Sequence, residues 1–525
     1  MMRLDESGRL VPVLSTAFVW LGVSLALACG QSESAAPSAA GGTSGGGASG
    51  VSQPGAQDFG LFREVLARGE LPSPALIDDL GFFAEHKLDY PEPTCSGNMC
   101  LHGLVGVMGN FMSGVDCTLL QVGLNSPLDA ANLPTRPLHA VLVVDTSGSM
   151  VGDPIDYLIE GLLRLVDSLD STAAISLVRY GDHASVVLEH AAVTDRAALH
   201  AAIVGLETGG WTNLSAGLFE GYRLAAAYAD PSVETRVLLM SDGVANQGIL
   251  ADPALFAMAR EQARLGVGLS TIGAGEAFEV ELMRGLAEAG AGTFYFLEDP
   301  RAMVEVFEDE LSTALTPVAL DVRIEADIDA GYALGAAYGT RGFRRDGPDG
   351  VVELPAMFLA TRRSSTEPVD SGRRGGGGAI LFELLRRRGV ELQPRVGTLK
   401  LTYRDAFTGQ THEQSVTLEV PPEVGGEVIP EDGWFSSFTV EKSFVMLNLL
   451  VAFRQAAELA LAADGASADA LLTLVRAQVS DWLARNEDAD IASDLDTLDR
   501  FVTVIRSFTF TPQPYFVPPE PWPYD

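Results

Sequence analysis

Three oxygen-bearing side chains follow a short apolar run near residue 140. Ala140–Val144 is apolar and rich in β-branched residues, and Asp145, Ser147 and Ser149 come directly after it. A short apolar run bounded by turn residues is typical of a buried strand in a parallel sheet. Open α/β sheets bind ligands beyond the carboxyl ends of such strands, and hard cations such as Mg²⁺ prefer oxygen ligands. The stretch therefore predicts a cation site, although D-x-S-x-S alone also occurs in ordinary turns.

Two later loops offer further oxygen ligands. Thr212 follows a Gly-Gly-Trp turn that precedes a helical pattern, and Asp242 follows the apolar run Val237–Met240. The carboxyl ends of parallel strands meet at one edge of a sheet, so we expect the three loops to lie close together. The five candidate metal ligands are Asp145, Ser147, Ser149, Thr212 and Asp242.

At these residues the chain resembles the von Willebrand factor type A (VWA) family, over about 138–315. The metal-ion-dependent adhesion site of that family has the pattern D-x-S-x-S, then Thr, then Asp, and all five positions match. The resemblance implies a Rossmann-like, doubly wound, mostly parallel sheet. It also implies a divalent cation and a protein partner that supplies an acidic residue to the metal. Mg²⁺ is the expected ion, with Ca²⁺ and Mn²⁺ as alternatives.

Helical and strand patterns alternate through this region. Strands are predicted at 174–180, 185–188, 268–272 and 293–297, in addition to the two runs above. Helices are predicted at 157–169, 196–206, 215–229, 252–265, 279–289 and 300–315. Alternation of strands and helices indicates βα units in a parallel sheet. The phosphate-binding pattern G-x-x-x-x-G-K-[ST] is absent from the sequence.

The first 29 residues are predicted to be an export signal. An apolar stretch from Leu10 ends at Ala28-Cys29 and resembles a bacterial lipobox, which implies that Cys29 carries lipid. Ala26 stands where that motif usually has Leu, so an ordinary signal peptide or an uncleaved anchor are the alternatives. No second stretch approaches the ~20 apolar residues that span a bilayer. Residues 30–57 are rich in Gly, Ser and Ala and are predicted to be a flexible linker.

Residues 58–135 form a distinct N-terminal element before the VWA region. Helix patterns at 58–68 and 75–86 surround a G-x-L-P-x-P motif and lead into Y-P-x-P. This arrangement resembles the N-terminal element of a family of secreted bacterial VWA proteins. We therefore expect 58–135 to contribute to the same domain as the segment that follows the VWA region.

Three cysteines lie in this element, at Cys95, Cys100 and Cys117. After export to an oxidising compartment, one pair is expected to form a disulfide and one cysteine to be left over. The sequence leaves the pairing open. A zinc site with His102 is the competing interpretation, but C-x₄-C-x-H is not a standard zinc spacing.

The segment after the VWA region changes to a period of two. Strands are predicted at 318–326, 331–338, 351–360, 378–385, 396–404 and 414–420. Short strands at this spacing indicate a β-sandwich over 318–421. The resemblance to the secreted VWA family implies that the VWA domain is inserted between 94–135 and 318–421. Residues 436–508 are predicted to be helical, and 511–525 form a tail rich in Pro and aromatic residues.

Composition narrows the classes of function. The chain has 525 residues and a formal net charge of −35, so we expect no nucleic-acid partner and no membrane contact beyond the lipid anchor. A metal-dependent binding module of the cell envelope is the preferred hypothesis, located on an outer-membrane or periplasmic face, or secreted. The alternatives are a structural envelope protein with a metal-stabilised loop and a metal-dependent hydrolase. No His or Glu pattern indicates a general base, so we expect no enzyme activity.

Overall fold

A computed structural model describes most of the chain. The described residues are 2–4, 10–12, 49–53, 55–56, 59–114, 116–128, 136–230, 232–241, 246–274, 280–297, 317–360, 377–387, 389–390, 393–421, 424 and 433–508. Four predicted features lie outside these residues. They are the lipidation residue Cys29, the metal ligand Asp242, the helix at 300–315 and the tail at 511–525.

The described strands and helices are numbered in chain order. The strands are β1 (Met2–Leu4), β2 (Leu10–Pro12), β3 (Ser49–Ser52), β4 (Gly55–Ala56), β5 (Cys100–Gly109), β6 (Asp116–Ser126), β7 (Leu138–Asp145), β8 (Ala174–Tyr180), β9 (Ala184–Ala192), β10 (Glu234–Ser241), β11 (Val267–Ala274), β12 (Thr293–Leu297), β13 (Pro317–Ile328), β14 (Tyr332–Tyr338), β15 (Phe343–Asp346), β16 (Asp349–Leu359), β17 (Ile380–Arg386), β18 (Arg395–Asp405), β19 (Thr411–Glu419) and β20 (Trp434–Phe435). The α-helices are α1 (Gly60–Ala67), α2 (Asp79–Ala84), α3 (Asp153–Ser168), α4 (Arg196–Val204), α5 (Leu214–Ala227), α6 (Asp252–Arg264), α7 (Val280–Ala289), α8 (Phe438–Leu461), α9 (Gly465–Leu483) and α10 (Ala489–Ser507).

A seven-stranded sheet in the order β4-β12-β11-β10-β7-β8-β9 forms the centre of the VWA region. Every neighbouring pair is parallel except β8 with the edge strand β9. Alternate residues of β7 enter different cores: Leu142 packs with residues of α3 and α4, and Val143 packs with residues of α5, α6 and α7. Burial on both faces explains why the β7 sequence is continuously apolar. The predicted doubly wound, mostly parallel fold is confirmed.

Two element boundaries in this domain differ from the predictions. Strand β9 runs over Ala184–Ala192, more than twice the predicted 185–188, because its side chains alternate between half-buried and exposed and so lack a continuous apolar run. Helix α3 begins at Asp153 rather than near 157, because its first turn contains Asp153 and Pro154 and carries no apolar period. Both residue types suit the first turn of a helix.

Among the described strands outside the VWA sheet, β1 and β2 pair only with each other, and the other eleven form a second β region in two halves. One half contains β14, β17, β6, β5 and β20, and the other contains β15, β16, β13, β18 and β19. Strand β3 pairs with both β6 and β16 and joins the halves. The halves share one apolar core, and Gly103 of β5 leaves room for Leu399 and Leu418 of the opposite half. Strand β6 precedes the VWA domain and pairs with β17, which follows it.

The Gly- and Ser-rich segment before residue 58 is more ordered at its end than predicted. The prediction of a flexible linker over 30–57 is wrong for Ser49–Ser52 and Gly55–Ala56, which form β3 and β4. Val51 is buried in the core of the second β region, while β4 adds an edge strand beside β12 of the VWA sheet. Strand pairing uses backbone groups, so small residues can form strands without an apolar pattern in the sequence.

The C-terminal helices pack on the other face of the β5–β6 half. Their core also takes in α1 and α2, and Phe62 of α1 lies 5.4 Å from Phe453 and 5.8 Å from Phe501 between ring centroids. Within the predicted N-terminal element 58–135, α1 and α2 therefore pack with the C-terminal helices, while β5 and β6 lie in the second β region. An apolar helix face in a sequence predicts that this face is buried, but it does not identify the element that packs against it.

A buried ion network joins the segment after α2, at Lys87, to the C-terminal helices. The Lys442 Nζ atom lies 2.7 Å from Asp488 Oδ2 and 3.0 Å from Asp490 Oδ2, and it donates to the Lys87 carbonyl at 2.9 Å. Lys442, Asp488 and Asp490 are all nearly inaccessible to solvent. Such a cation compensates two desolvated carboxylates at once.

Among the described residues, one helix is long and apolar enough to cross a membrane by length and composition, namely α8 at Phe438–Leu461. The expectation that no stretch after the leader reaches this length was wrong. Most of α8 is buried by α9, α10, α1 and the β5–β6 half, which makes it the central helix of this core. Its apolar surface on several sides follows from burial on several sides.

Candidate metal centre

Asp145 lies at the carboxyl end of the central strand β7 and is fully buried. The backbone N–H of Ser147 donates to Asp145 Oδ1 at 2.9 Å, and the Ser241 hydroxyl donates to Oδ2 at 2.6 Å. Ser241 is the last residue of the neighbouring strand β10. These two bonds hold the carboxylate in one orientation at the edge of the sheet.

Ser147 and Ser149 bring two more oxygens to this edge. A single 3₁₀ turn at Gly148–Met150 follows Ser147 and places the Ser147 and Ser149 hydroxyl oxygens 3.1 Å apart. Two ligands at right angles, each about 2.1 Å from a Mg²⁺ ion, would be about 3.0 Å apart. The same distance is also a normal O–H···O hydrogen bond. Ser147 is buried and Ser149 is exposed, so the pair opens to solvent on one side.

Thr212 reaches the same edge on a loop that is bonded to the β7 turn. Gly209 N–H donates to the Thr146 carbonyl at 2.7 Å, and Gly148 N–H donates to the Gly210 carbonyl at 3.0 Å. Thr212 itself is buried, and its N–H donates to Asn246 Oδ1 at 2.9 Å. The structure therefore brings the loops of Asp145 and Thr212 together, as the sequence predicted for parallel strand ends.

Gly210 has φ +85°, and an added Cβ atom would lie 2.7 Å from Asp182 Oδ2. A side chain at this position would therefore be strained and would collide with Asp182. The other Asp182 oxygen accepts a 2.8 Å bond from the Trp211 N–H. Glycine thus allows the 209–213 loop to close onto Asp182 and fixes the backbone on either side of Thr212.

Asp242 lies outside the described residues, so the fifth ligand stays a prediction. The strand before it is described: β10 pairs in parallel with β7, with Met240 opposite Val144. Ser241 ends that strand, and its hydroxyl contacts Asp145 directly. The predicted ligand Asp242 therefore follows, in the sequence, a residue that contacts Asp145.

The electrostatics of Asp145 fit a bound cation. Burial raises the pKa of the Asp145 carboxyl, and hydrogen bonds from Ser241 and Ser147 lower it in part. Within the described residues, Asp145 forms no ion pair with Lys, Arg or His. A buried carboxylate is costly without a compensating positive charge. Asp145, Ser147, Ser149 and Thr212 offer one anionic and three neutral oxygens, a donor set that suits a hard divalent cation.

Three supporting residues were missed by the sequence analysis. Ser241 bonds to Asp145, Asn246 accepts from Thr212, and Asp182 accepts from Trp211. Ser241 and Asn246 lie close in sequence to the predicted ligand Asp242, so this closeness could have identified them as supporting residues. Asp182 follows β8 and had no such signal, because its partner lies 29 residues further along the chain.

The predicted cysteine features lie far from this edge in the sequence. Cys95 and Cys100 form a disulfide, with their Cα atoms 5.5 Å apart, and Cys117 lies outside that bond. Disulfide sulfurs are not thiolate ligands, so the zinc alternative is not supported. His102 instead bonds to Asn125 Oδ1 through Nε2 at 2.8 Å and stacks on Tyr90.

Comparison with known proteins agrees with this geometry. Residues 140–309 match the model of the von Willebrand factor type A domain. The chain is 29% identical over 272 residues to the uncharacterized protein YfbK of Escherichia coli, covering 51% of this chain and 45% of YfbK. It is 26% identical over 171 residues to the uncharacterized protein sll0103 of Synechocystis, covering 33% of this chain and 40% of that protein. The matches thus span less than half the length of both curated relatives.

Among solved structures, the chain is similar to a von Willebrand factor type A protein from Catenulispora acidiphila. The TM-score is 0.44 with 16% sequence identity, over 79% of this chain and 91% of that one. The matched family model and the doubly wound sheet with its ligand-bearing edge lead to one conclusion. Residues 140–309 of this chain are a von Willebrand factor type A domain, and parts of the chain are similar to two uncharacterized bacterial proteins.

Proposed function

We propose that this protein binds a protein partner through a divalent cation at the edge of its VWA sheet. One observation carries the proposal: the buried Asp145 carboxylate forms no ion pair among the described residues, and the turn directly after it carries the Ser147 and Ser149 hydroxyls. The proposed ligands are Asp145, Ser147, Ser149, Thr212 and Asp242.

The ligand set explains how a partner would bind. Only Asp145 and Asp242 carry charge, and the three hydroxyl ligands add none, so the bound cation stays electrophilic. An acidic residue of the partner would replace a water and complete the coordination shell. Mg²⁺ is the proposed ion, because it is usually bound through one or two carboxylates and keeps several waters, one of which a partner carboxylate can replace; Ca²⁺ and Mn²⁺ are the alternatives.

The proposed location is the bacterial cell envelope, with Cys29 as a lipid anchor. The apolar leader that ends at Cys29 supports export, and the disulfide between Cys95 and Cys100 suits an oxidising compartment. A short tether of about 20 residues, from Gly30 to the start of β3, would carry the folded body away from the membrane. Mass spectrometry of the mature N-terminus tests this: an unmodified residue there, or an intact Met1, would exclude lipidation.

The test of the metal site is calorimetric titration of purified protein with Mg²⁺ and Mn²⁺. Asp145→Ala should abolish binding and leave the fold intact, since it removes a buried charge. Thr212→Ala should weaken binding less, because water can replace a neutral ligand. Asp170→Ala is the matched control, since Asp170 is an exposed turn residue of the same domain. No saturable binding to the wild type, or equal binding to Asp145→Ala, would refute the site.

Partner binding separates this function from the alternatives. Capture of a partner by the wild type should fall with chelator and with Asp145→Ala. Capture that persists after metal removal would favour a structural role in which the ion only stabilises a loop. Metal-dependent turnover of a substrate would establish a hydrolase instead.

A further inference from the structure

Exposed apolar side chains surround the candidate metal centre. Trp211 directly precedes Thr212 and is 60% exposed, and Val151 follows the turn that carries Ser149 and is 65% exposed. Ile249 and Leu250, on the loop after β10, are 46% and 56% exposed. Single exposed apolar residues are ordinary, but several around one polar site mark an interaction surface. We call Val151, Trp211, Ile249 and Leu250 the apolar rim.

Trp211 is held in position by its backbone. Its N–H bonds to Asp182, and the glycines before it have φ +155° and +85°, which lets the loop close. On its other side, the N–H of Asn213 donates to the Gly181 carbonyl at 2.9 Å. The indole therefore projects from a fixed loop, and binding through it would cost little ordering entropy. Tryptophan is also among the residues most enriched at binding hot spots.

A surface pocket of about 430 Å³ lies at the start of α5, beside Asn213. Phe219, Ile249 and Met258 form its apolar wall, and Asn213, the neighbour of Thr212, lines it as well. Ile249 is fixed there, since its N–H donates to the Ser215 hydroxyl at 3.0 Å. Pockets of this size fall within the range that holds small ligands, so one large side chain of a partner fits.

Gly248 allows this close packing. It has φ +81°, and an added Cβ atom would lie 2.3 Å from Ser215 Oγ. The loop that carries Ile249 and Leu250 is therefore seated directly on the start of α5, the helix that follows Thr212. The rim and the pocket are thus built on the same backbone that positions the candidate metal ligand.

The net charge of the protein affects which kinds of contact can contribute to the affinity of such a partner. The chain carries a formal net charge of −35, and Asp182 and Glu220 lie beside the rim and the pocket. The net negative charge of the protein opposes the approach of an acidic ligand, while the bound cation attracts it. Contacts of uncharged groups must therefore supply much of the affinity and slow dissociation.

We propose that the partner presents its acidic residue within a segment that also carries a large aromatic or aliphatic side chain. The acidic residue binds the cation, the apolar side chain enters the pocket of Phe219, Ile249 and Met258, and the flanking chain packs on Trp211. This inference rests on the proposed function and adds the chemistry of the recognised segment.

The probe is a library of short random peptides that share one fixed aspartate. The full chain is immobilised, loaded with Mg²⁺, and the bound peptides are released with a chelator and sequenced. We expect enrichment of Trp, Phe, Leu or Ile at a constant spacing from the aspartate. Chelator-released peptides without such enrichment would overturn this inference and leave the metal-dependent function standing. An absence of chelator-released peptides would overturn both.

One variant tests the packing of the flanking chain on Trp211. Trp211→Ala should bind a selected peptide at least about tenfold more weakly, while its Mn²⁺ titration stays equal to that of the wild type. Leu265→Ala is the control, because Leu265 is 68% exposed in the same domain, at the link between α6 and β11. Equal peptide affinity of Trp211→Ala and the wild type, with metal binding intact, would overturn the inference.

Discussion

Ser241→Ala tests whether the second strand supports the metal site. Ser241 is fully buried, and its hydroxyl donates a 2.6 Å hydrogen bond to Asp145 Oδ2. Alanine removes this donor without adding volume. The Asp145 carboxylate then loses the group that orients it, and the hydrogen bond that lowers its pKa disappears. A proton would compete more strongly with the cation, and metal affinity should fall.

The expected size follows from the type of bond. A hydrogen bond to a charged acceptor contributes about 1.5–3 kcal/mol. Part of this cancels, because the bond also stabilises the ionised carboxylate in the metal-free protein. Outer partners of metal ligands typically contribute 10- to 100-fold in affinity. We therefore expect Ser241→Ala to bind Mn²⁺ about 10- to 100-fold more weakly, with the fold retained.

The assay is Mn²⁺ titration at constant pH, by calorimetry or by the paramagnetic signal of the free ion. Ser270→Ala is the matched control: Ser270 is also fully buried in this sheet, but it bonds to the Thr293 N–H at 3.1 Å and not to Asp145. An affinity of Ser241→Ala within about twofold of the wild type would refute the reasoning. Equal losses in both variants would show a general effect on the sheet instead.

Two further predictions concern stability. Lys442→Met removes the cation beside two buried carboxylates and should lower the free energy of unfolding of the helical region by about 3–5 kcal/mol. Arg476→Met, which removes an exposed ion pair between α9 and α10, should lower that free energy by at most about 1 kcal/mol. Amide hydrogen exchange of α8 and α10 measures the free-energy change in each variant. Equal changes in the two variants would contradict the prediction. His139 is buried, and desolvation lowers its pKa to about 4. The unfolded state then binds the proton more readily, so stability is lost as the pH falls from about 6.5 toward 4. His139→Gln should reduce this loss of stability in acid unfolding curves. His183→Gln, at an exposed histidine, is the control and should not reduce it. Identical curves for wild type and His139→Gln would exclude a contribution of His139.

The parallel fold was predictable because its signal is local. Strand segments buried on both faces are mostly apolar, and the centres of β7 and β10 are, at Ala140–Val144 and Val237–Met240. The chain must then leave the sheet in a turn, and Asp145, Ser147 and Ser149 lie within five residues of one another in that turn. Spacing this short limits how far apart the three side chains can be, whatever the rest of the protein does.

The packing of the N-terminal helices was not predictable in the same way. The apolar face of α1 indicated burial, but the partners of its Phe62, Phe453 and Phe501, lie 391 and 439 residues away along the chain. Strand β3 lacked even that signal, since a Gly- and Ser-rich segment pairs through its backbone. The choice of Cys95 with Cys100 was likewise open until the start of β5 brought the two together.

The sequence by itself thus determined the elements of the VWA domain and the polar residues at its strand ends, because each depends on neighbours a few positions away. Only the tertiary structure decided what supports and surrounds those residues. The bond from Ser241 to Asp145 depends on the register of β10 against β7. The meeting of Trp211 with Asp182 depends on how two loops close over the same sheet edge. Such contacts join positions far apart in the chain, and their energy comes from a packing that no short stretch of sequence encodes.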